Sequence, residues 1–138
     1  MSDRDAETAI RKLFADYGAG FDDADADGVT GLFAWPATIW QLGEGHIFED
    51  AEELAENIEA LMDIFHEAGI VVTMPDVTEV RTAGAAAFAS VSWRQEDEAG
   101  QALHEYLCRY LLVVNDGSWR IATVVNEAEP DEAGQDGA

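Results

Sequence analysis

The stretch YGAGFDDADADGVTGLFAWPATIW, residues 17–40, brings the end of one helix, an aspartate-rich turn and the start of a strand close together. Tyr17 and Phe21 complete an amphipathic pattern that starts near residue 5. Because its apolar residues recur at helical spacing, the pattern predicts a helix over residues 5–21. Tyr17 lies on the apolar stripe of that helix, which also contains Ile10, Leu13 and Phe14.

The turn DDADADG, residues 22–28, has the beginning of a calcium-binding loop. Counted from Asp23, carboxylates and glycine stand where such a loop needs them, but its twelfth position is Ala34 instead of a bidentate glutamate. The missing glutamate removes two of the oxygens that the ion requires, so the sequence predicts no metal site. The alternative is that Asp25 or Asp27 caps the next helix by accepting backbone hydrogen bonds.

After this turn, Val29, Leu32 and Phe33 predict a second, short helix that ends before Pro36. Residues 37–42 predict a strand, and HIF at residues 46–48 a short return strand. Asp50 followed by Glu53 fits a capping box and opens a third helix, whose apolar face holds Leu54, Ile58, Leu61, Met62 and Phe65, and which Gly69 closes.

From residue 70 the hydrophobic pattern alternates, which is typical of strands. NDGS, residues 115–118, is a strong hairpin signal. The pattern predicts strands over residues 71–82, 86–95, 102–114 and 119–126. The elements together predict an α+β fold with helices packed on one face of a curved sheet.

Composition limits the partners and the location. Aspartate and glutamate total 29 of 138 residues against 7 lysines and arginines, for a formal charge of −22. Such a field repels phosphate backbones and anionic lipids, so we expect neither nucleic acid nor membrane as a partner. A single cysteine, Cys108, and the lack of a signal peptide or of a long apolar run predict a cytoplasmic protein.

Residues 17–40 and the ending VVNDGSWRIATVVNEAE resemble the nuclear transport factor 2-like superfamily, which includes ketosteroid isomerases and SnoaL-like polyketide cyclases. The resemblance covers roughly residues 5–127. It implies one cone-shaped (cystatin-like) domain over residues 1–127, with three helices packed on a strongly bent antiparallel sheet around a pocket. It also implies a homodimer. Residues 128–138 are expected to form a disordered acidic tail.

The resemblance also matches the catalytic residues of ketosteroid isomerases to positions in this chain. Tyr17 matches the tyrosine that donates to the oxyanion in ketosteroid isomerases, and Tyr110 falls on or near their second oxyanion donor. Gln41 takes the place of their catalytic aspartate, and glutamine cannot accept and release a proton at neutral pH. Two donors without a base would polarise a carbonyl without removing a proton from its neighbour.

The strand over residues 103–114 divides into two faces, because successive side chains point to opposite sides of a sheet. By the resemblance, the face with His104, Tyr106, Cys108 and Tyr110 points into the cone. The other face is also largely apolar, which favours a homodimer through the outer face of the sheet. His104 is the best candidate for acid–base chemistry, the alternative being a solvated histidine at the strand end.

Trp40 and Trp93 offer flat apolar surfaces to a ring-bearing ligand, and both are equally well explained as core residues. The sequence thus predicts a domain that binds a small hydrophobic molecule through Trp40, Gln41, Trp93 and Tyr106 and lacks the usual catalytic aspartate. The alternative is an isomerase, cyclase or lyase that acts by general acid–base chemistry through Tyr17, His104 and Tyr110. Neither function requires a cofactor.

Overall fold

The computed structural model describes residues 3–41 and 43–127. The predicted α+β order of elements is confirmed. The elements are α1 (Asp3–Asp22), α2 (Ala26–Thr30), β1 (Phe33–Gln41), β2 (Glu44–Phe48), α3 (Ala51–Glu67), β3 (Val72–Ala83), β4 (Ala86–Glu96), β5 (Ala102–Asn115) and β6 (Ser118–Glu127). The predicted acidic tail and Leu42, the last residue of the predicted first strand, lie outside the described residues.

The six strands form one sheet in the order β2-β1-β6-β5-β4-β3. The prediction of an antiparallel sheet is wrong at one place, because β1 and β6 run parallel. These two strands are far apart in the chain, so no hairpin turn fixes their direction. The other neighbours are antiparallel, and the β5–β6 hairpin turns at Asp116 and Gly117, whose φ angles of +54° and +78° suit the NDGS sequence.

Helix α3 begins as its capping sequence predicts. An oxygen of Asp50 accepts a hydrogen bond from the backbone N–H of Glu53 at 2.9 Å, and the Glu53 carboxylate accepts from the backbone N–H of Glu49 at 3.2 Å. The first bond satisfies an amide that the helix itself leaves free, and the second ties the residue before the cap to the first turn. The buried face of α3 holds Leu54, Ile58 and Met62.

The second helix is shorter than predicted. It ends at Thr30, because the carbonyl of Leu32 already accepts a sheet hydrogen bond from the backbone N–H of Ile121 at 2.8 Å. Phe33 therefore starts β1 instead of continuing the helix. Pro36 lies inside β1, where the register with β6 shifts, and a residue without an N–H is tolerated at such an irregularity.

The aspartate-rich turn is a helix cap. Asp25 accepts a hydrogen bond from the backbone N–H of Gly28 at 3.0 Å and so caps α2. Within residues 3–41 and 43–127, no three histidine, cysteine, aspartate or glutamate side chains are grouped as a metal ion would need.

The core lies between the helices and the inner face of the sheet. Its fully buried members include Ile10 and Phe14 from α1, Leu54 from α3, Trp93 from β4 and Ile121 from β6. Helix α1 crosses the sheet closely at Gly18, where a Cβ atom would lie 2.6 Å from the carbonyl oxygen of Thr73. None of the helices in the described part of the chain has the length and apolar character that crossing a membrane takes.

Candidate ligand-binding cavity

A cavity of about 90 Å³ lies between the inner face of the sheet and helices α1 and α3. Its floor is built by β4 and β5, and β1 and β6 close one side. The alternation predicted for β5 is confirmed there, because Cys108, Tyr110 and Leu112 are buried while Leu103 and Arg109 are exposed. The bend of the sheet therefore turns the same face of several strands toward one space.

Apolar side chains form most of the cavity wall. Helix α3 contributes a row one turn apart, since Ile58, Leu61 and Phe65 all lie on the face that covers the sheet. The wall facing them contains Ile39 from β1 and Val124 from β6. Such a lining favours the uncharged, apolar part of a ligand.

Three tyrosines line this wall: Tyr17, Tyr106 and Tyr110. The rings of Tyr17 and Tyr110 meet edge to face with centroids 6.5 Å apart. The indole N–H of the buried Trp93 donates to the Tyr110 hydroxyl at 2.8 Å, and that hydroxyl also bonds the Cys108 thiol. The Tyr17 hydroxyl belongs to the same wall.

Burial keeps these groups uncharged. It raises the pKa of Tyr17 and of Tyr110 well above the ordinary tyrosine value. It also raises the pKa of the Cys108 thiol to about 12, although the hydrogen bond with Tyr110 opposes that rise. A neutral thiol is a poor nucleophile. Among the described residues that line the cavity there is no carboxylate, histidine, lysine or arginine.

The structure brings five of the seven predicted site residues together. Tyr17, Gln41, Trp93, Tyr106 and Tyr110 all line the cavity. Helical spacing places the first of these on the inner stripe of α1, and strand alternation places the others on the inner face of the sheet. Their proposed roles toward a ligand stay predictions.

The two remaining residues lie elsewhere. Trp40 is 46% exposed and packs over Gly45 of the neighbouring strand, so it borders a shallow groove instead of the cavity. His104 is exposed near the start of β5, and its Nδ1 atom lies 3.3 Å from the side-chain oxygen of Gln95. His104 is not among the residues that line the cavity.

Three polar residues of the lining were not predicted from the sequence: Asn57 on α3, Thr73 on β3 and Asn126 on β6. Strand alternation could have found Thr73, because Thr73 pairs with the inward-facing Gln95. The position of Asn126 follows from the parallel pairing of β1 and β6, in which it stands beside Gln41. No local pattern in the sequence indicates that pairing.

Comparison with known proteins agrees with this architecture. The model of the family described as NTF2-like protein (DUF6841) matches residues 5–129. The chain belongs to this NTF2-like family. The match covers all six strands and nearly the whole of the first helix, so the superfamily predicted from residues 17–40 is confirmed. None of the curated proteins matches the chain.

Solved structures share the fold of this NTF2-like chain at low sequence identity. Aln2 from a Streptomyces species has a TM-score of 0.78 at 18% identity, over 100% of this chain and 99% of its own. An NTF2-like protein with a cystatin-like fold from Novosphingobium aromaticivorans reaches 0.77 at 18% identity, over 93% and 84%. A Nostoc punctiforme protein of unknown function with a cystatin-like fold reaches 0.75 at 16% identity, over 94% and 95%. At these identities the likeness concerns the fold.

Proposed function

We propose that this NTF2-like chain binds a small hydrophobic molecule, or the hydrophobic part of one, in the cavity between α1, α3 and the sheet. The observation that carries the proposal is the lining itself, which combines apolar walls with hydroxyl and amide groups and no ionised side chain among the described residues. A pocket with these properties holds apolar surface and orients it through a few hydrogen bonds.

An NMR titration with a graded series of alcohols, from 2-propanol to benzyl alcohol, tests this proposal. Leu61 is half-buried in the cavity wall, so Leu61→Trp fills the space from its rim. Ile64 lies on the same helix, is 58% exposed and is no part of the lining, so Ile64→Trp is the matched control. We expect binding to wild type and to the control, and loss of binding in Leu61→Trp. Equal binding to all three proteins, or none to any, would refute the proposal.

One observation favours the alternative of an isomerase, cyclase or lyase. Tyr17 and Tyr110 both line the cavity, and a tyrosine hydroxyl that donates to a bound carbonyl polarises it, although Tyr110 would first have to give up its bond to the Cys108 thiol. Proton removal would also need a base, whereas Gln41 is an amide and His104 does not line the cavity. Deuterium exchange at the α-carbons of cyclopentanone separates the two functions. Binding without acceleration of the exchange favours the binding domain, and acceleration favours the enzyme.

We also propose that two copies pair through the outer face of the sheet. Phe88 on that face is 61% exposed and Val125 39% exposed. The arginines nearby already pair with carboxylates, Arg109 with Glu127 at 2.5 Å and Arg94 with Glu105 at 3.4 Å. The face is therefore closer to neutral than the chain as a whole, and two strongly acidic copies repel each other least there.

The oligomeric state measured by light scattering tests this pairing. Phe88→Glu places a charge within the proposed contact, and Ile64→Glu adds the same charge at a comparably exposed site on α3. We expect a dimer for wild type and for Ile64→Glu, and a monomer for Phe88→Glu. A monomeric wild type, or a dimeric Phe88→Glu variant, would contradict the pairing.

A further inference from the structure

A second space adjoins the cavity at the C-terminal ends of α1 and α3. This crevice also measures about 90 Å³, and it shares Phe21, Phe65 and Thr73 with the cavity. The Phe21 and Phe65 rings lie with their centroids 5.8 Å apart. Because both rings border both spaces, the aromatic pair forms the wall between them.

The crevice differs from the cavity in its charge. Asp22 and His66 line it, whereas no described residue lining the cavity carries a charge. Asp22 and Thr73 both line the crevice, and hydrogen bonding with Thr73 opposes the rise that burial causes in the pKa of the Asp22 carboxyl. Asp22 therefore presents a carboxyl directly beyond the apolar cavity.

The volumes of the two spaces indicate why one ligand would occupy both. An apolar protein cavity that accepts a benzene ring measures about 150 Å³. Neither space reaches that volume, whereas the two joined exceed it. Both phenylalanines are half-buried and stand in the last turns of their helices, so a change of rotamer would displace either ring without disturbing the fully buried core.

We propose that the Phe21–Phe65 pair is a movable wall, and that the ligand has an apolar body in the cavity and an ammonium group at Asp22 in the crevice. The inference rests on the proposed binding function and adds the chemical class of the ligand, a small amine with one apolar ring. The charge of −22 supports it, because the field of the whole chain attracts cations and repels anions.

Benzylamine and benzyl alcohol are matched probes. They share the same ring and methylene group, and one carries an ammonium group where the other carries a hydroxyl group. Their affinities are measured by NMR titration for wild type, Asp22→Asn and Asp63→Asn. Asp63 is exposed on α3 and lines neither space, so its variant removes the same charge from the overall field.

For wild type we expect benzylamine to bind about twofold to fivefold more tightly than benzyl alcohol, the value of an exposed ion pair. Asp22→Asn should abolish this preference and Asp63→Asn should keep it. Nuclear Overhauser contacts should join the probe's ring to Ile58 and its methylene group to Ile70, a residue of the crevice.

Equal affinities of the two probes for wild type, or a preference that survives in Asp22→Asn, would overturn the inference. Binding of 2-propanol without binding of either benzyl probe would show that the aromatic wall does not open. That result would overturn the inference and leave the binding function intact. Failure of every probe to bind would overturn both.

Discussion

The hydrogen bond from Trp93 to Tyr110 makes Tyr110 and Tyr17, two of the three cavity tyrosines, energetically unequal. Trp93 is 1% exposed and its indole N–H donates to the Tyr110 hydroxyl at 2.8 Å. Tyr110→Phe removes the acceptor and leaves a buried N–H without a partner, which costs about 1–3 kcal/mol. The phenylalanine ring keeps the contact with Phe14, whose centroid lies 4.6 Å away, so the loss is that of the hydroxyl.

Tyr17→Phe is the matched control. It removes the same atom from the same cavity, but the Trp93 N–H donates to Tyr110 and so keeps its partner. The free energy of unfolding should then change by less than about 0.5 kcal/mol.

Urea unfolding followed by circular dichroism measures both variants without relying on the altered fluorescence of Trp93. For a domain of this size, the Tyr110→Phe loss corresponds to a fall in Tm of roughly 3–10 °C. Equal stabilities of the two variants would refute the reasoning, because Trp93 would then have another partner for its N–H, such as water in the cavity.

Three further predictions concern single sites. Gly18→Ala should lower the free energy of unfolding, measured in urea titrations, by about 1–2 kcal/mol, because the added Cβ would press on the Thr73 carbonyl. This cost outweighs the better helix propensity of alanine. A stabilised variant would contradict the close packing of α1 on the sheet. Cys108, buried with a pKa of about 12, should react with a thiol reagent far more slowly in the native than in the unfolded protein, and equal rates would contradict its burial. Burial raises the pKa of Asp22, so the native state binds this proton more tightly than the unfolded state and stability falls as pH rises through the aspartate range. The Tm advantage of Asp22→Asn over wild type should therefore grow from about pH 3 to about pH 7, and a constant difference would contradict the shift.

Local signals in the sequence located most of the fold. Asp50 and Glu53 placed the start of α3, and NDGS placed the β5–β6 turn, since each signal acts through hydrogen bonds or dihedral angles of neighbouring residues. The end of α2 escaped prediction because a long-range bond decides it, from the backbone N–H of Ile121 to the Leu32 carbonyl.

The difference between local signals and long-range contacts also decides which parts of the cavity were predicted. Helical periodicity placed Tyr17 on the buried stripe of α1. Strand alternation placed Tyr106 and Tyr110 on one face of β5, and the family resemblance indicated that this face points into the cone. Periodicity does not report how far along the cone a residue lies. His104 lies on the same face of β5 as Tyr106, but it is two residues closer to the start of the strand and lies beyond the cavity.

The crevice could not have been predicted from local patterns. It forms where the last turns of two helices, far apart in the chain, meet at Phe21 and Phe65. Asp22 belongs to a run of aspartates in the sequence, and no local pattern indicates which member of the run lines the crevice.

The most direct test of a ligand cavity is a nuclear Overhauser measurement on methyl-labelled protein with 2-propanol, the smallest probe of the series. Binding between α1, α3 and the sheet predicts contacts from the probe to the methyl groups of Ile58, Leu61 and Val124. Contacts confined to the exposed Val125 and Ile64, with none to the three lining residues, would contradict it.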